Sequence, residues 1–509
     1  MSANVGTFLH RWAQQDPDRT GIVDSGRDDL AFSYGELDRW ASRVAAHLLD
    51  RGLGPGDRVA ICTANGLDFV AAWFGAVYAG CTTLPIPAMS TVHEIAFRLQ
   101  HADCKALLTD ADRSAVTLES KMRAGTSSDV VLVENAITDA NGEIPPCDLA
   151  PDSLAMLLYT SGTTGAAKGV CIAHESLGTH TKALVEETLR LTEEDRILGT
   201  LPLTHSYGIR MTLLVPFCAG ASTVFVPRFS ASRTLELCTT HRITWLPGVP
   251  TMFVAWANED TQPTPPALRW CMSAGAPLVE DVRLRAEERL SAPVRQGYGL
   301  TEATFTTINA PPDVAVPGSS GKPVAGVEVR IADDFGDELP QGVHGEVLIR
   351  GQNVMEGYLD DKLATAHAMR RDWLHTGDIG FVDDEGRLTI ADRTKDLILR
   401  GGASIYPSEV ENILAHHPAV RDVAVVGQPD DYYGEEIVAV IVRNVDVTAG
   451  ALDRWAREQL ASYKVPRRYA FVEALPEGTS GKTLKRRLRD QLVSGDIMAE
   501  ELPPHRPAE

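Results

Sequence analysis

The sequence predicts an α/β protein with a largely parallel sheet and more than one domain. Three observations carry this. Helix-like and strand-like segments alternate through the first 150 residues, the order in which crossover helices join parallel strands. The alternation resumes after a dense glycine and hydroxyl loop near residue 165. At 509 residues the chain is too long for a single compact core.

The elements follow in chain order. Tyr34 to Leu49 places Leu37, Val44, Leu48 and Leu49 at helical spacing. Gly52-Leu53-Gly54-Pro55-Gly56 breaks that helix, and Arg58 to Cys62 reads as a strand. These glycines precede the strand, the wrong side for a dinucleotide fingerprint. Phe69 to Tyr78 reads as a helix with small residues on one face. Leu154 to Leu158 is an apolar run expected to form a buried strand. Further on, Ser222 to Val226 and Ile243 to Leu246 read as strands around a helix from Ser232 to His241. From about Gly318 to Gly386 short alternating strands and turn residues suggest a small antiparallel unit. A compact α+β segment ends the chain, with helices near Pro407–His416 and Ala449–Leu460 and strands at Val423–Val426 and Ile437–Val442. The last dozen residues, rich in Pro and Glu, read as frayed.

Bulk properties narrow the function. A formal charge of −21 argues against nucleic acid as a partner, because phosphate neutralisation needs a basic surface. Eight cysteines (Cys62, Cys81, Cys104, Cys147, Cys171, Cys218, Cys238, Cys271) include no Cys-x-x-Cys pair and no zinc spacing. They read as free thiols in a reducing compartment. The N-terminus lacks the pattern of a signal peptide, and the longest apolar run, around Phe69 to Ala79, is too short to span a bilayer. A cytoplasmic protein without a membrane span is therefore expected.

The densest chemical signal follows the strand Leu154–Leu158: Thr160-Ser161-Gly162-Thr163-Thr164-Gly165-Ala166-Ala167-Lys168. Glycines admit backbone N–H groups close to an anion, hydroxyls add donors, and the lysine adds a point charge. That combination holds a polyphosphate, although the spacing is not the Walker pattern. Other segments join it: Leu203-Thr204-His205-Ser206-Tyr207-Gly208; Ser273-Ala274-Gly275-Ala276-Pro277; Gly297-Tyr298-Gly299-Leu300-Thr301-Glu302; His375-Thr376-Gly377-Asp378; Asp392-Arg393-Thr394-Lys395-Asp396 with Gly401-Gly402; and Gly478-Thr479-Ser480-Gly481-Lys482.

In this order and spacing, from about Thr7 to Leu488, the set resembles the adenylate-forming superfamily, in its acyl-CoA synthetase branch. The resemblance implies a large N-terminal domain, residues 1–393, of two α/β sheet subdomains plus a small β-barrel, and a mobile C-terminal lid, residues 394–509. It implies ATP, Mg²⁺ and CoA. Thr160 to Lys168 would hold the β- and γ-phosphates. Tyr298 would stack on adenine, with Gly275, Ala276, Pro277 and Gly299 around it in a slot that only small residues permit. Thr301 would touch the α-phosphate, and Glu302 would hold Mg²⁺. Asp378 would accept the ribose hydroxyls, with Arg393 beside it. Lys395 would be the hinge, Gly401 and Gly402 would line the pantetheine tunnel, and Lys482 would join the carboxylate to the α-phosphate. His205 would stand where acyl pocket and tunnel meet, with a hydrogen-bonded structural histidine as the alternative. Ala167 departs from the proline many members carry there.

The implied chemistry has two steps: an acid attacks ATP to give an acyl-adenylate and pyrophosphate, and a thiol then expels AMP. The acid pocket is expected from Tyr207, Trp245, Leu246, Val249, Phe305 and Ile308, which favours a hydrophobic acid, fatty, aryl or polycyclic. Amino-acid-activating relatives place an aspartate just after the His205 position; Ser206 stands here, so an amino acid is disfavoured. CoA is the expected acceptor, with an acyl carrier protein as alternative; a luciferase-like oxygenase and an inert nucleotide scaffold remain open. His416-His417 reads as an exposed helix end, and Lys485, Arg486, Arg487 and Arg489 as the cationic face of a surface helix.

Overall fold

The computed structural model describes residues 4–138, 143–160, 167–313, 315–333, 335–393, 396–400, 403–430, 432–477 and 483–502. The chain packs as two compact units, Met1–Val329 with Leu348–His375, and Arg330–Val347 with Thr376–Glu509.

The first unit carries two sheets. In one, the strands Asp129–Leu132, Ala106–Thr109, Arg58–Cys62, Thr82–Pro85 and Leu154–Thr160 lie side by side and parallel. Lys168–Ala173 and then Gly357–Tyr358 extend it antiparallel. In the other, Thr20–Asp24, Ser222–Phe225, Arg196–Gly199, Trp245–Gly248, Trp270–Ala274 and Val294–Leu300 run parallel. Thr304–Ile308 and Ser319–Pro323 follow antiparallel. The parallel sheets expected from the alternation are thus present, as is the antiparallel texture after residue 318.

Helix Tyr34–Asp50 starts on a capping box, in which Ser33 accepts from Glu36 N–H and Glu36 accepts from Ser33 N–H. Helix Leu67–Tyr78 is buried along its length, as its nearly unbroken apolar sequence demands. Helices Ala231–Thr240, Pro250–Ala257 and Glu280–Leu290 cover the second sheet through Leu235, Phe253, Trp256, Ala286 and Leu290, against Leu198, Leu246 and Val294.

The second unit pairs Val420–Asp430 antiparallel with Gly434–Arg443, which runs parallel to Arg468–Val472. One apolar core includes Val410, Leu414, Leu452 and Ala456 of the helices Pro407–Ala415 and Ala449–Arg457. Another takes Leu488 and Leu492 of helix Lys485–Ser494. That helix corrects one expectation. Arg486 and Arg487 are exposed, but Lys485 pairs with Glu411 at 2.8 Å and Arg489 with Asp396 at 2.9 Å. Two of the four cations therefore bind the helix to its own unit. His416 is exposed at a helix end, and the ring of His417 packs edge-on against Trp455, so neither reads as an acid/base pair.

His174 opens the helix His174–Ala183, fully buried, and its Nδ1 accepts from the Val5 N–H at 3.3 Å. That bond needs a neutral ring, and burial pushes the pKa down to about 4. The unfolded chain, with the ordinary value of 6.5, then binds the proton first as pH falls, so stability is lost from about pH 6.5 toward 4. His174→Asn keeps an acceptor without a titrating ring. The stability advantage of the wild type over it should shrink by about 2 kcal/mol between pH 7.5 and pH 5, read from urea unfolding curves. An advantage independent of pH would contradict the assignment.

Candidate active site

The site residues expected in the first unit sit at strand ends and in the turns beyond them. The strand Leu154–Thr160 delivers Thr160, and Lys168 opens the returning strand, paired with Thr160. Ser161, Gly162, Thr163, Thr164 and Gly165 lie outside the described residues. The base of the loop is anchored by Tyr159, whose hydroxyl meets His101 Nδ1 at 2.7 Å.

The loop after strand Trp270–Ala274 presents Gly275, Ala276 and Pro277, the last two exposed. Leu278 N–H donates to Gln296 Oε1 at 3.0 Å, which ties this loop to the strand bearing Tyr298. Gly275 has φ +93°, and a Cβ there would meet nothing closer than Val249 Cγ1 at 3.7 Å. Its conformation, with room beside it, suits a glycine. Gly299 is different. A Cβ on it would overlap the carbonyl of Thr304, its own hairpin neighbour. The tight turn from Gly299 to Thr304 therefore requires glycine on its own account.

That turn carries Thr301 and Glu302, both partly exposed. Tyr358 donates its hydroxyl to Glu302 Oε1 at 2.9 Å, and Lys168 Nζ stands 4.8 Å from the centre of the same ring. Burial, followed by the Glu302 charge, pushes the phenol's pKa up, so it stays a donor. The segment around Tyr358 acts as a strap: Met355 N–H donates to Glu302 O at 2.8 Å, and Leu359 N–H to Gly169 O at 2.7 Å. Sequence reasoning missed Tyr358. The Gly357-Tyr358 pair after the strand Gly345–Gly351 was the only signal, and a two-residue strand has no periodicity to read.

Among the expected acid-contacting residues, the rings of Tyr207 and Phe305 meet edge-on at 5.2 Å. Tyr207 is buried, and its hydroxyl lies 2.8 Å from Met272 O and 3.1 Å from Gly248 O, the residue before Val249. Ile308 is buried on the strand of Phe305. Trp245 is fully buried against Trp270, 5.6 Å between ring centres, and Leu246 is in the core under the helices. For Leu246 this core position replaces the pocket role. His205 caps the short helix Ser206–Ile209, its Nδ1 accepting from Tyr207 N–H at 3.2 Å.

In the second unit Asp378 and Arg393 are cross-strand partners of the antiparallel pair Trp373–Val382 and Leu388–Arg393. Asp378 is buried, and the turn before it is pinned by Gly377 N–H to Glu346 Oε1 at 3.0 Å and Thr376 Oγ1 to Val347 O at 2.7 Å. Lys395, Gly401, Gly402 and Lys482 lie outside the described residues.

A hydroxyl and lysine at the ends of a glycine loop, a small-residue turn beside a tyrosine strand, and a carboxylate in a hairpin turn fit an enzyme that activates an acid with a nucleotide. The comparisons agree. The profile described as "AMP-binding enzyme" matches residues 9–359, and that of the "AMP-binding enzyme C-terminal domain" matches 409–482. The chain belongs to the AMP-binding enzyme family, in its AMP-forming acid–CoA ligase branch. It is 33% identical to sulfoacetate–CoA ligase of Cupriavidus necator, over 94% of this chain and 95% of that protein. Among solved structures, ATP-bound MatB of Rhodopseudomonas palustris is 31% identical with a TM-score of 0.90, covering 96% of this chain and 99% of that one. o-Succinylbenzoate CoA synthetase (MenE) of Bacillus subtilis, with its acyl-adenylate OSB-AMP, is 31% identical with a TM-score of 0.85, covering 95% and 98%. ATP and CoA are thus co-substrates, used with a small acid. No helix among the described residues is long and apolar enough to cross a membrane.

Gly299→Ala should lower stability by more than about 2 kcal/mol, because the Thr304 backbone cannot withdraw without opening the hairpin. Gly275→Ala should cost about 1 kcal/mol from its φ alone. Thermal unfolding of both tests this; equal losses would contradict the steric requirement at Gly299.

Proposed function

We propose that the chain activates a hydrophobic carboxylic acid, with residues 1–393 as the adenylating part and 394–509 as a lid. The observation that carries the substrate class is the Tyr207–Phe305 contact, two aromatic rings at 5.2 Å next to a serine where an amino group would need an acid. The loop Thr160 to Lys168 neutralises the β- and γ-phosphates, which an overall charge of −21 would otherwise repel. Tyr298 stacks on adenine beside Gly275 and Ala276. Asp378 and Arg393 hold the ribose. Thr301 touches the α-phosphate. Lys482 brings the carboxylate and α-phosphate together and offsets charge at phosphorus. Lys395 turns the lid, and Gly401 and Gly402 leave room for the pantetheine arm. The eight free thiols support a reducing, cytoplasmic setting.

Mg²⁺ fits the donor set. Glu302 supplies a hard oxygen, and the described residues contain no group of three or more His, Cys, Asp or Glu that could bind a metal unaided. One protein carboxylate with the phosphate oxygens is therefore the sensible arrangement. The ion would neutralise phosphate charge; Tyr358 orients the carboxylate that holds it.

A carboxylic-acid screen by pyrophosphate release, with and without CoA, tests the reading. Fatty or aryl acids should respond, and AMP should appear fully only with CoA. A response confined to amino acids, or to a holo-carrier protein in place of CoA, would overturn it. Lys482→Ala should cut adenylation at least about 100-fold; unchanged adenylation removes the lysine from the mechanism. Tyr358→Phe should lower kcat/KM for ATP by about tenfold and raise the Mg²⁺ concentration for half-maximal rate, consistent with one lost hydrogen bond to a charged acceptor.

A further inference from the structure

The segment after Tyr207 contains a buried cation without a counter-ion. Arg210 follows the helix Ser206–Ile209 and is 1% exposed. Its Nη1 donates to Leu177 O at 2.7 Å and to Thr181 Oγ1 at 2.6 Å. Its Nε and Nη2, the opposite edge of the guanidinium, have no partner among the described residues. Burial alone moves its pKa, down to about 9, so it stays charged at neutral pH with no carboxylate acting on it. His180, fully buried on the same helix as Leu177 and Thr181, meets Thr304 Oγ1 through Nδ1 at 3.1 Å and also interacts with the Phe305 backbone. Burial and, after it, the Arg210 charge hold the His180 pKa well below its ordinary value.

Desolvating a guanidinium without an anion is strongly unfavourable. Its Nε–Nη2 edge is the fork that receives two oxygens of one oxyanion side by side. The fork lies among the elements that carry the proposed acid contacts. Arg210 is three residues beyond Tyr207, and Thr304, the partner of His180, precedes Phe305, whose ring meets Tyr207.

We propose that the Nε–Nη2 edge of Arg210, next to His180, receives a second oxyanion at the far end of the acid substrate. This rests on the preceding reading and narrows it: the substrate class is an acid with an apolar middle and an anionic tail, carboxylate or sulfonate. The carboxylate to be activated stays at the nucleotide, and the apolar middle lies against Tyr207 and Phe305.

The test uses the intact chain and pyrophosphate release with ATP. The probes are α,ω-dicarboxylates from succinate to sebacate, aryl diacids, ω-sulfo acids and the monomethyl ester of each diacid. At least one dianionic acid should exceed its ester-capped or uncharged-tail counterpart tenfold or more in kcat/KM. Arg210→Met should abolish or reverse that ratio, and Arg210→Lys should restore part of it. An arginine with a purely structural role, its fork met by buried water, would lower both members of a pair equally and leave the ratio unchanged, which overturns the proposal. So does a wild-type ratio within twofold for every pair, a result that needs no variant and decides the matter if Arg210→Met does not fold. Turnover of monoanionic hydrophobic acids alone rejects the second oxyanion and leaves the preceding reading standing. No turnover of any acid rejects both.

Discussion

One phenol ring in the first unit touches two opposite charges and keeps them from pairing. Lys168 Nζ rests over the face of Tyr358, and the hydroxyl of the same ring donates to Glu302. A direct lysine–carboxylate pair would neutralise both groups and leave neither for the nucleotide contacts proposed for them. With the ring between them, the ammonium keeps a soft attraction worth about 1 kcal/mol and the carboxylate one charge-assisted hydrogen bond. Both are oriented, and neither is consumed. The strap that carries Tyr358 fixes the spacing, because its backbone is bonded on one side to Glu302 and on the other to Gly169.

The residues on either side of that ring are far apart in sequence, which explains what was legible and what was not. The helix Tyr34–Asp50 and the strand Arg58–Cys62 stood within one or two residues of their expected ends, because apolar period and breaker residues are local signals. Thr301 and Glu302 were marked out by the family resemblance alone, since a carboxylate at that place reads by itself as a solvated helix start. Tyr358 was not, because its role exists only through contacts with 168 and 302. Gly299 was legible as a glycine but not for its reason: the overlap with Thr304 is a property of the closed hairpin. Lys485 looked like any solvated cation until Glu411 was placed beside it.

Arg210 is the same lesson in reverse. In sequence it interrupts Gly208-Ile209-Arg210-Met211, a single charge that a surface helix would carry without comment. The fold buries it completely and spends only one of its nitrogens on the neighbouring helix. Polar groups in a folded core are nearly always satisfied, so the unpaired Nε and Nη2 of this buried guanidinium are the ground for the second oxyanion proposed above.

An enzyme that forms acyl-adenylates must also protect itself from them, since any thiolate of its own would compete with CoA. Burial does this here. It lifts the pKa of Cys62 and Cys171 to about 11, and of Cys81 and Cys104 to about 12. At pH 7 a thiol of pKa 11 is ionised in roughly one molecule in ten thousand, and the thiolate is the nucleophile. Cys171 is the telling case, because it lies three residues from Lys168 on the strand that leaves the phosphate loop. The apolar core that the sheet requires around Cys171, with Leu157 and Leu359, is what keeps that thiol protonated. The packing that builds the sheet thus also leaves the acceptor role to a thiol brought from outside.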